Sequence, residues 1–545
     1  MLLKIDLINK INKGQYMSKM TIVVCDHIHQ KGLDLLSEDS NIIMINAADE
    51  PKDKLIWEII QKADVAITRS STDVDEKFLA NATNIKAIVR AGVGVDNVDI
   101  DGCSKRGIVV MNVPTANTIA AVELTMTHML SCVRSFPYAH NNLKLDRVWR
   151  RQDWYGTELK DKKLGIIGFG NIGSRVGIRA KAFDMDVIAY DPFVPSSKAT
   201  DLDIKYTKDF NDILDCDIIT IHTPKTAETI GMLSFKEMEK LKDGVILINC
   251  ARGGLYDEEA LLENLKNGKI RMAGIDVFNY EPATDHPLLD LDNVTLTPHL
   301  GANTKESQQN IAIQAAKQAI EAVKGIAYPN ALNLPIKENE LPDFVRPFLE
   351  LTQKMANMSA QLTKSEIKSI KITTKGDISD FVESLSTFAT VGVLSESLSD
   401  QINYVNAEFV AKERGIEIIR ESKPNNSGFN NKVAIKLTTQ DSTITIAGTV
   451  FGSNIQRVIM IDNYALDVEI EGKMILFRNN DEPGVIGEVG SIIAKHNVNI
   501  SDFRLGRDNG GQALAIVRVD GVVSNSLLDE LSSLDACINL SHANI

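Results

Sequence analysis

Cysteine is scarce: six in 545 residues, none in a CxxC pair and none at zinc-ligand spacing. That excludes a disulfide-stapled scaffold and a zinc-finger design. Thiols set in apolar runs suit a reducing compartment, so a cytoplasmic protein is expected. No run approaches the roughly 18 uncharged apolar residues of a membrane helix. The opening MLLKIDLINKINKGQYMSK is interrupted by Lys4, Asp6 and Lys10, unlike a secretory signal. Positive charge is also short, with 59 Lys and Arg against 73 Asp and Glu, a net −14. Neither nucleic acid nor an anionic membrane is an expected partner. GxSxG and GxxxxGK[ST] are both missing, which removes a serine-nucleophile elbow and a P-loop. Internal repeats and low-complexity tracts are missing too. What remains is ordinary globular composition, 44% hydrophobic and 24% charged, enough for about three or four domains.

The folded pattern starts at Thr21. Residues 1–19 are expected to be an N-terminal extension, disordered or reflecting a start at Met17. TIVVCD, NIIMIN, ADVAITRS, KAIVRAG and GIVVMNVP read as strands, with KGLDLLSE and KDKLIWEIIQKA as helices between them. Strands apolar on both faces and separated by helices imply a covered parallel sheet. A long helix follows Asn117-Thr118, either of which can cap it, and Pro137 lies past its end. A second α/β series runs through KLGIIGFG, DVIAYD, DIITIHTP, GVILINCAR, AGIDVF and NVTLTPHL, a doubly wound sheet. An amphipathic helix at about 305–324 leads to YPNALNLPIKENELPDF, whose turn residues mark a linker. Alternating strands KSIKITTKG, NKVAIKLTT, STITIAGTVFG and RVIMIDNYALDVEIEG suggest an α+β domain to about residue 470, and a ferredoxin-like βαββαβ order follows.

The sharpest local pattern is Gly168-Phe-Gly170-Asn-Ile-Gly173. It follows an apolar strand and opens a helix, and Asp191 ends the next strand 18 residues beyond Gly173. Gly168 permits a tight turn, Gly170 lets backbone approach a pyrophosphate, and Gly173 lets the helix pack on the strand. The helix N-terminus adds N–H donors and a positive dipole end. Asp191 can accept from a ribose 2′-OH and would repel a 2′-phosphate, and Pro192-Phe-Val-Pro offers no arginine, so NAD is expected over NADP. Three more side chains close strands at the same carboxyl edge: Arg252 in NCARGG, Glu281 in DVFNYEP and His299 in TPHLGA. A guanidinium fork suits a carboxylate. A histidine held by a glutamate suits general acid–base work. Singly, these are a surface ion pair, a loop charge and a hydrogen-bonded core histidine. Together beside a dinucleotide, they meet the needs of 2-hydroxy-acid oxidation.

These segments resemble the D-isomer-specific 2-hydroxy-acid dehydrogenase family: RAGVGVDNVD, GFGNIG, NCARGG, DVFNYEP and TPHLGA match its signatures in order. WRRQDWYGTEL, VNAEFVAKERGIEI, GTVFGSNIQRVIMID and NNDEPGVIG…VNI are similar to its long-type phosphoglycerate dehydrogenase branch, over nearly the whole chain from about residue 20. The resemblance implies two doubly wound parallel-sheet domains, followed by two α+β domains. A flavodoxin-like substrate domain would comprise 20–117 plus 304–330, and a Rossmann NAD domain 118–303. An intervening α+β domain would span 331–470 and a ferredoxin-like ACT regulatory domain 471–545.

The implied activity is NAD-dependent oxidation of 3-phospho-D-glycerate to 3-phosphooxypyruvate, the first step of L-serine biosynthesis. His299 would take the C2-hydroxyl proton, Glu281 would orient it, and Arg252 would clamp the substrate carboxylate. Gly92, Val93 and Gly94 would offer backbone donors, with Arg69 facing the same cleft. Arg151, two positions after Trp149, would reach the phosphate from a partner subunit of a homodimer or homotetramer, with the adjacent Arg150 an alternative. Asn171, Ile172, Thr223, Pro224, Cys250 (through its backbone), Asp276 and Gly301 would join the glycines and Asp191 around NAD. His222 is expected to be structural, and no metal is expected. In the ACT-like end, Asp481 and Asn479 would hold a small α-amino acid, L-serine above all, with Asn499 supplied by the partner; a purely dimerising domain is the alternative. Arg457 is a candidate for an anionic effector of the middle domain. The rival readings are a glyoxylate or hydroxypyruvate reductase of the same family and a dinucleotide-sensing interaction protein.

Overall fold

The computed structural model describes residues 19–334, 341–363, 365–398, 401–425 and 428–545, so the expected extension lies, through residue 18, outside the described residues. Strands β1 (Met20–Val24), β2 (Ile42–Asn46), β3 (Val65–Thr68), β4 (Ala87–Arg90) and β5 (Val109–Asn112) form a parallel sheet in the order β2-β1-β3-β4-β5. That is the flavodoxin-like winding. β3 and β5 are buried at every residue, whereas the edge strand β2 buries only Ile42. Helix Lys305–Val323 returns to this sheet and buries Ile311, Ala315, Ala316 and Ala319 in its core.

β6 (Lys163–Ile167), β7 (Asp186–Tyr190), β8 (Lys205–Thr207), β9 (Ile218–Ile221), β10 (Val245–Asn249), β11 (Ile270–Ile275) and β12 (Val294–Leu296) form a second parallel sheet, ordered β12-β11-β10-β9-β6-β7-β8. The chain reverses direction between β6 and β9, and ligands of such sheets bind outside the carboxyl ends at that switch point. β8, only three residues long at the sheet edge, was not among the expected strands. Helix Thr118–Arg134 lays Val122, Met126, Met129 and Cys132 on this sheet. Its N-cap is Asn117, and Pro137 falls in the first turn of the next helix, Phe136–Lys144.

The expected linker needs correction at its start. Ala331 bridges Met111 of β5. Asn333 accepts the Val110 N–H at 2.9 Å and donates to Ser104 Oγ and the Ile108 carbonyl. These contacts cover the edge of β5, which would otherwise present unpaired backbone groups. Residues 335–340 lie outside the described residues.

The third sheet holds β13 (Ile367–Lys375), β14 (Glu417–Lys423), β15 (Lys432–Thr439), β16 (Thr443–Phe451), β17 (Ile455–Ile461) and β18 (Tyr464–Val468), ordered β14-β13-β15-β16-β17-β18. β13 and β14 are parallel and the rest antiparallel. The single run RVIMIDNYALDVEIEG is in fact a hairpin, turning at Asp462 with φ 47°. Helices Val345–Gln361 and Val382–Leu398, unread in the sequence, cover the sheet. The second is buried on all sides from Ser384 to Leu394, so it lacks the amphipathic period that betrays a helix.

The last sheet, β19 (Lys473–Asn480), β20 (Asn499–Arg507), β21 (Gln512–Asp520) and β22 (Cys537–Asn544), is antiparallel in the order β20-β21-β19-β22, with helices Val485–Lys495 and Asn525–Ser532. Alternate residues part company along β19. Ile475 and Phe477 face the two helices, while Met474 and Leu476 join the core of the preceding domain.

Candidate active site

The glycine loop after β6 does what its spacing requires. Gly168 adopts φ 88°, and a Cβ there would lie 2.7 Å from the His222 carbonyl. A Cβ at Gly173 would lie 2.1 Å from the Gly168 carbonyl, whereas one at Gly170 would meet nothing within 4 Å. Helix Asn171–Ala182 begins there with no side-chain cap, so the first-turn N–H groups of Asn171 and Ile172 face the opening. Asp191 accepts from Phe169, Phe193 and Val194 N–H at 2.8, 2.9 and 3.1 Å, tying the loop to the end of β7. Across the switch point, the Thr223 hydroxyl is buried without a hydrogen-bond partner, next to exposed Pro224. An open glycine, uncapped N–H groups, an orphaned hydroxyl and a strand-end carboxylate fit a dinucleotide. His222 is partly buried, which pushes its pKa down to about 3, and it contacts Thr220, which fits a structural role. Burial pushes the Cys250 thiol well up, so it is no nucleophile.

His299 stands beyond β12 at φ 54°, an uncommon conformation for a non-glycine residue. Its N–H donates to the Asp276 carbonyl at 2.9 Å. The Asp276 carboxylate is fully buried and accepts from Thr297 Oγ1, Leu300 N–H and Gly301 N–H at 2.6, 2.7 and 2.9 Å, so in this structure it anchors the loop that presents His299. Desolvation raises the pKa of Asp276 despite these bonds. His299 Nδ1 meets Glu281 Oε2 at 2.8 Å, with the two side chains 48% and 36% exposed. That hydrogen bond raises the imidazole's pKa against the pull of desolvation. Partial burial pushes Glu281 up, but its bonds to His299 and to Phe278 N–H, with the nearby charges, leave it below the usual range.

Arg252 follows β10 in a turn pinned by Asn249, which accepts from Ala251 N–H and donates to the Arg252 carbonyl. Its Nε reaches Asp96 of the first domain at 3.1 Å. A Cβ at Gly94 would lie 2.2 Å from Arg252 Nη2, and one at Gly92 1.6 Å from Arg90 Nη1. Glycine in this loop is therefore what lets two guanidinium groups meet it. Arg69 leaves β3 with its Nη1 on the His27 carbonyl at 2.9 Å.

Arg90, at the end of β4, was not singled out from the sequence. Its Nε is buried without a partner, and burial with the neighbouring Arg69 and Arg252 pushes its pKa down to about 10. Only a strand-end position hinted at it. His128 was missed as well: it lies inside a helix, bridges Thr295 and Thr297 at 2.9 and 2.8 Å, and is held neutral by burial, its pKa down at about 4.

Two groups of candidates lie elsewhere. Arg150 and Arg151 are exposed beside Trp149, which is 76% exposed. In the C-terminal domain a cavity of about 280 Å³ is lined by Phe477, Asn479, Asp481, Gly484, Phe503 and Arg507. Asn479 is buried with Oδ1 unpartnered, and Asp481 pairs with Arg507 at 3.0 Å. Asn499 begins β20 while Arg507 ends it, roughly 25 Å apart. Within one chain, then, Asn499 does not reach this cavity; it bonds Asp520 instead. Arg457 is already paired with Asp467 and Glu469.

Comparison with known proteins agrees with this anatomy. Family models match for the D-isomer specific 2-hydroxyacid dehydrogenase NAD binding domain over residues 126–301, the D-3-phosphoglycerate dehydrogenase intervening domain over 344–462 and the ACT domain over 473–536. The chain is 36% identical to D-3-phosphoglycerate dehydrogenase of Archaeoglobus fulgidus, over 96% of this chain and 100% of that one. It is also 36% identical to that of Bacillus subtilis, over 95% and 98%. Among solved structures, the TT0316 protein of Thermus thermophilus is 30% identical with a TM-score of 0.52, covering 57% of this chain and all of that one. A glyoxylate reductase of Paecilomyes thermophila is 25% identical with a TM-score of 0.52, covering 58% and 99%. With an NAD-binding loop at the switch point, a histidine–glutamate pair and a bridging arginine along the same carboxyl edge, and two matching appended domains, the chain belongs to the D-isomer-specific 2-hydroxyacid dehydrogenases, in their D-3-phosphoglycerate dehydrogenase branch.

Proposed function

We propose that the cleft oxidises 3-phospho-D-glycerate to 3-phosphooxypyruvate with NAD⁺, opening L-serine synthesis. The observation that carries this reading is the His299–Glu281 pair at 2.8 Å on the same strand edge as Arg252, which spans to Asp96 of the other domain. Neutral His299 takes the C2-hydroxyl proton as the hydride leaves, and Glu281 stabilises the imidazolium so formed. Arg252 and the 92–94 backbone hold the carboxylate. NAD⁺, held by the glycine loop, Asp191 and the Thr223 side, supplies the hydride acceptor. In a chain of net charge −14, a trianionic substrate needs a local cationic well. Arg69, Arg90 and Arg252 form one, and Arg151 adds to it from a partner subunit of a homodimer or homotetramer. That assembly is supported by the exposed arm Phe136, Leu145, Trp149 and Tyr155, each 63–86% exposed.

The C-terminal cavity is assigned to a small α-amino acid, L-serine in the first place, with Asp481 on the amine and Asn479 beside it. The cytoplasm is the proposed compartment; no helix among the described residues is long and apolar enough to cross a membrane. The test is NADH formation from 3-phospho-D-glycerate and from D-glycerate, with and without L-serine. Arg151→Ala is expected to lower kcat/KM roughly tenfold or more on the phosphorylated substrate alone. An equal loss on both substrates removes Arg151 from the phosphate site, and turnover of D-glycerate only overturns the substrate assignment.

A further inference from the structure

Glu258 and His286 take no part in the chemistry above, yet both are largely buried against the back of the loop that carries Glu281. Glu258 opens helix Glu258–Lys266, directly after the N-cap Asp257. Its Oε1 accepts the Asn279 N–H at 2.7 Å, and its Oε2 meets His286 Nε2 at 3.0 Å, with the side chains only 18% and 17% exposed. His286 Nδ1 accepts the Leu288 N–H at 3.2 Å, which leaves Nε2 to carry the proton and donate it to Glu258. One residue before Asn279, Phe278 donates its N–H to Glu281 Oε1 at 3.1 Å, and its ring rests on His286 with centroids 5.3 Å apart. The other oxygen of Glu281 holds His299. The loop can lie this close to the Arg252 turn because a Cβ at Gly253 would fall 1.9 Å from the Phe278 carbonyl.

We infer that Glu258, backed by His286, is a positioning residue for the proton transfer: it clamps the 278–281 loop so that Glu281 presents its second oxygen to His299. The inference rests on the acid–base reading of His299 and Glu281. Glu281, Asp276 and Arg252 are the charged groups that act most on His299; Glu258 bonds the Asn279 N–H and His286, so it reaches the imidazole through the 278–281 loop and Glu281.

The test is the pH profile of kcat/KM for oxidation in the full-length protein, with thermal unfolding and NAD affinity as checks of the fold. Glu258→Ala loosens the loop and moves the acid limb to lower pH, by about a threefold loss of proton affinity at His299. His286→Asn keeps a cap for the Leu288 N–H but is too short to reach Glu258, and it shifts the limb the same way by less. Glu258→Gln keeps an acceptor for the Asn279 N–H but turns an amide N–H₂ toward the His286 Nε2–H, so its shift is smaller than that of Glu258→Ala and comparable with that of His286→Asn. Glu281→Gln, the reference variant, shifts the limb furthest. If Glu281→Gln shifts the limb while Glu258→Ala and His286→Asn leave it unmoved, even with lowered thermal stability, the positioning role is overturned. If Glu281→Gln itself leaves the limb unmoved, the acid–base reading fails, and the positioning role with it.

Discussion

At the residue scale the proposed chemistry turns on a half-exposed imidazole whose proton affinity is raised chiefly by one carboxylate. The Glu281 hydrogen bond raises the pKa of His299, while Glu281 itself is lowered. With His299 as the proposed base, oxidation uses the neutral ring, so turnover in that direction is expected to fall as pH drops through the raised pKa, whereas the reverse reduction, which would use imidazolium, is expected to persist to higher pH than a free histidine would allow. For stability, His299's contribution is fully present below its unfolded pKa and fades as pH rises through the folded one. Glu281's is present above its unfolded pKa and fades as pH falls through the folded one. The pair therefore stabilises most between the two. His299→Ala is expected to cut turnover by roughly 10²–10⁴-fold with NAD affinity intact, read by steady-state assay and nucleotide titration. Retained turnover would remove the acid–base role. Arg252, Glu281 and His299 were legible in sequence because each closes a strand at one sheet edge. Arg90 was not, since its significance lies in two other arginines brought beside it by folding.

At the element scale, the two ligand-facing loops use glycine for different ends. At Gly173 an added methyl would strike the Gly168 carbonyl, which is backbone and cannot step aside; at Gly94 it would strike the far end of Arg252, which can. Gly173→Ala should therefore cost about 1–3 kcal/mol of stability and NAD affinity together, measured by urea unfolding and nucleotide titration. Gly94→Ala should leave the unfolding midpoint near wild type while displacing Arg252 from Asp96, raising KM for the substrate roughly tenfold. If Gly94→Ala instead unfolds the protein and spares KM, the loop's purpose is packing. The parallel strands were readable because β-branched runs such as VAIT are buried on both faces. Helix Val382–Leu398 was not, because burial on every side erased its period and its Thr, Val and Phe residues favour strands.

At the scale of the whole molecule, the middle domain grips the first one. Asn403 donates to the Gly107 carbonyl at 2.9 Å, and Val405 sits in the core around β5. The combined variant Asn403→Ala and Val405→Ala is expected to release this contact and raise the radius of gyration in small-angle scattering. An unchanged radius would assign the attachment to other residues. None of this was visible in the chain: a contact between residues 296 apart in sequence leaves no periodic trace.

Met474, Leu476, Leu514 and Ile516 of the final sheet are buried in the same core as Phe348, Leu385 and Ile435 of the middle domain. A clip made at residue 470 would strip oil from both halves at once, leaving a wet face on each. The two modules should be exchangeable between enzymes only as a pair, and a chimera joined between them should precipitate where one joined ahead of both stays in solution.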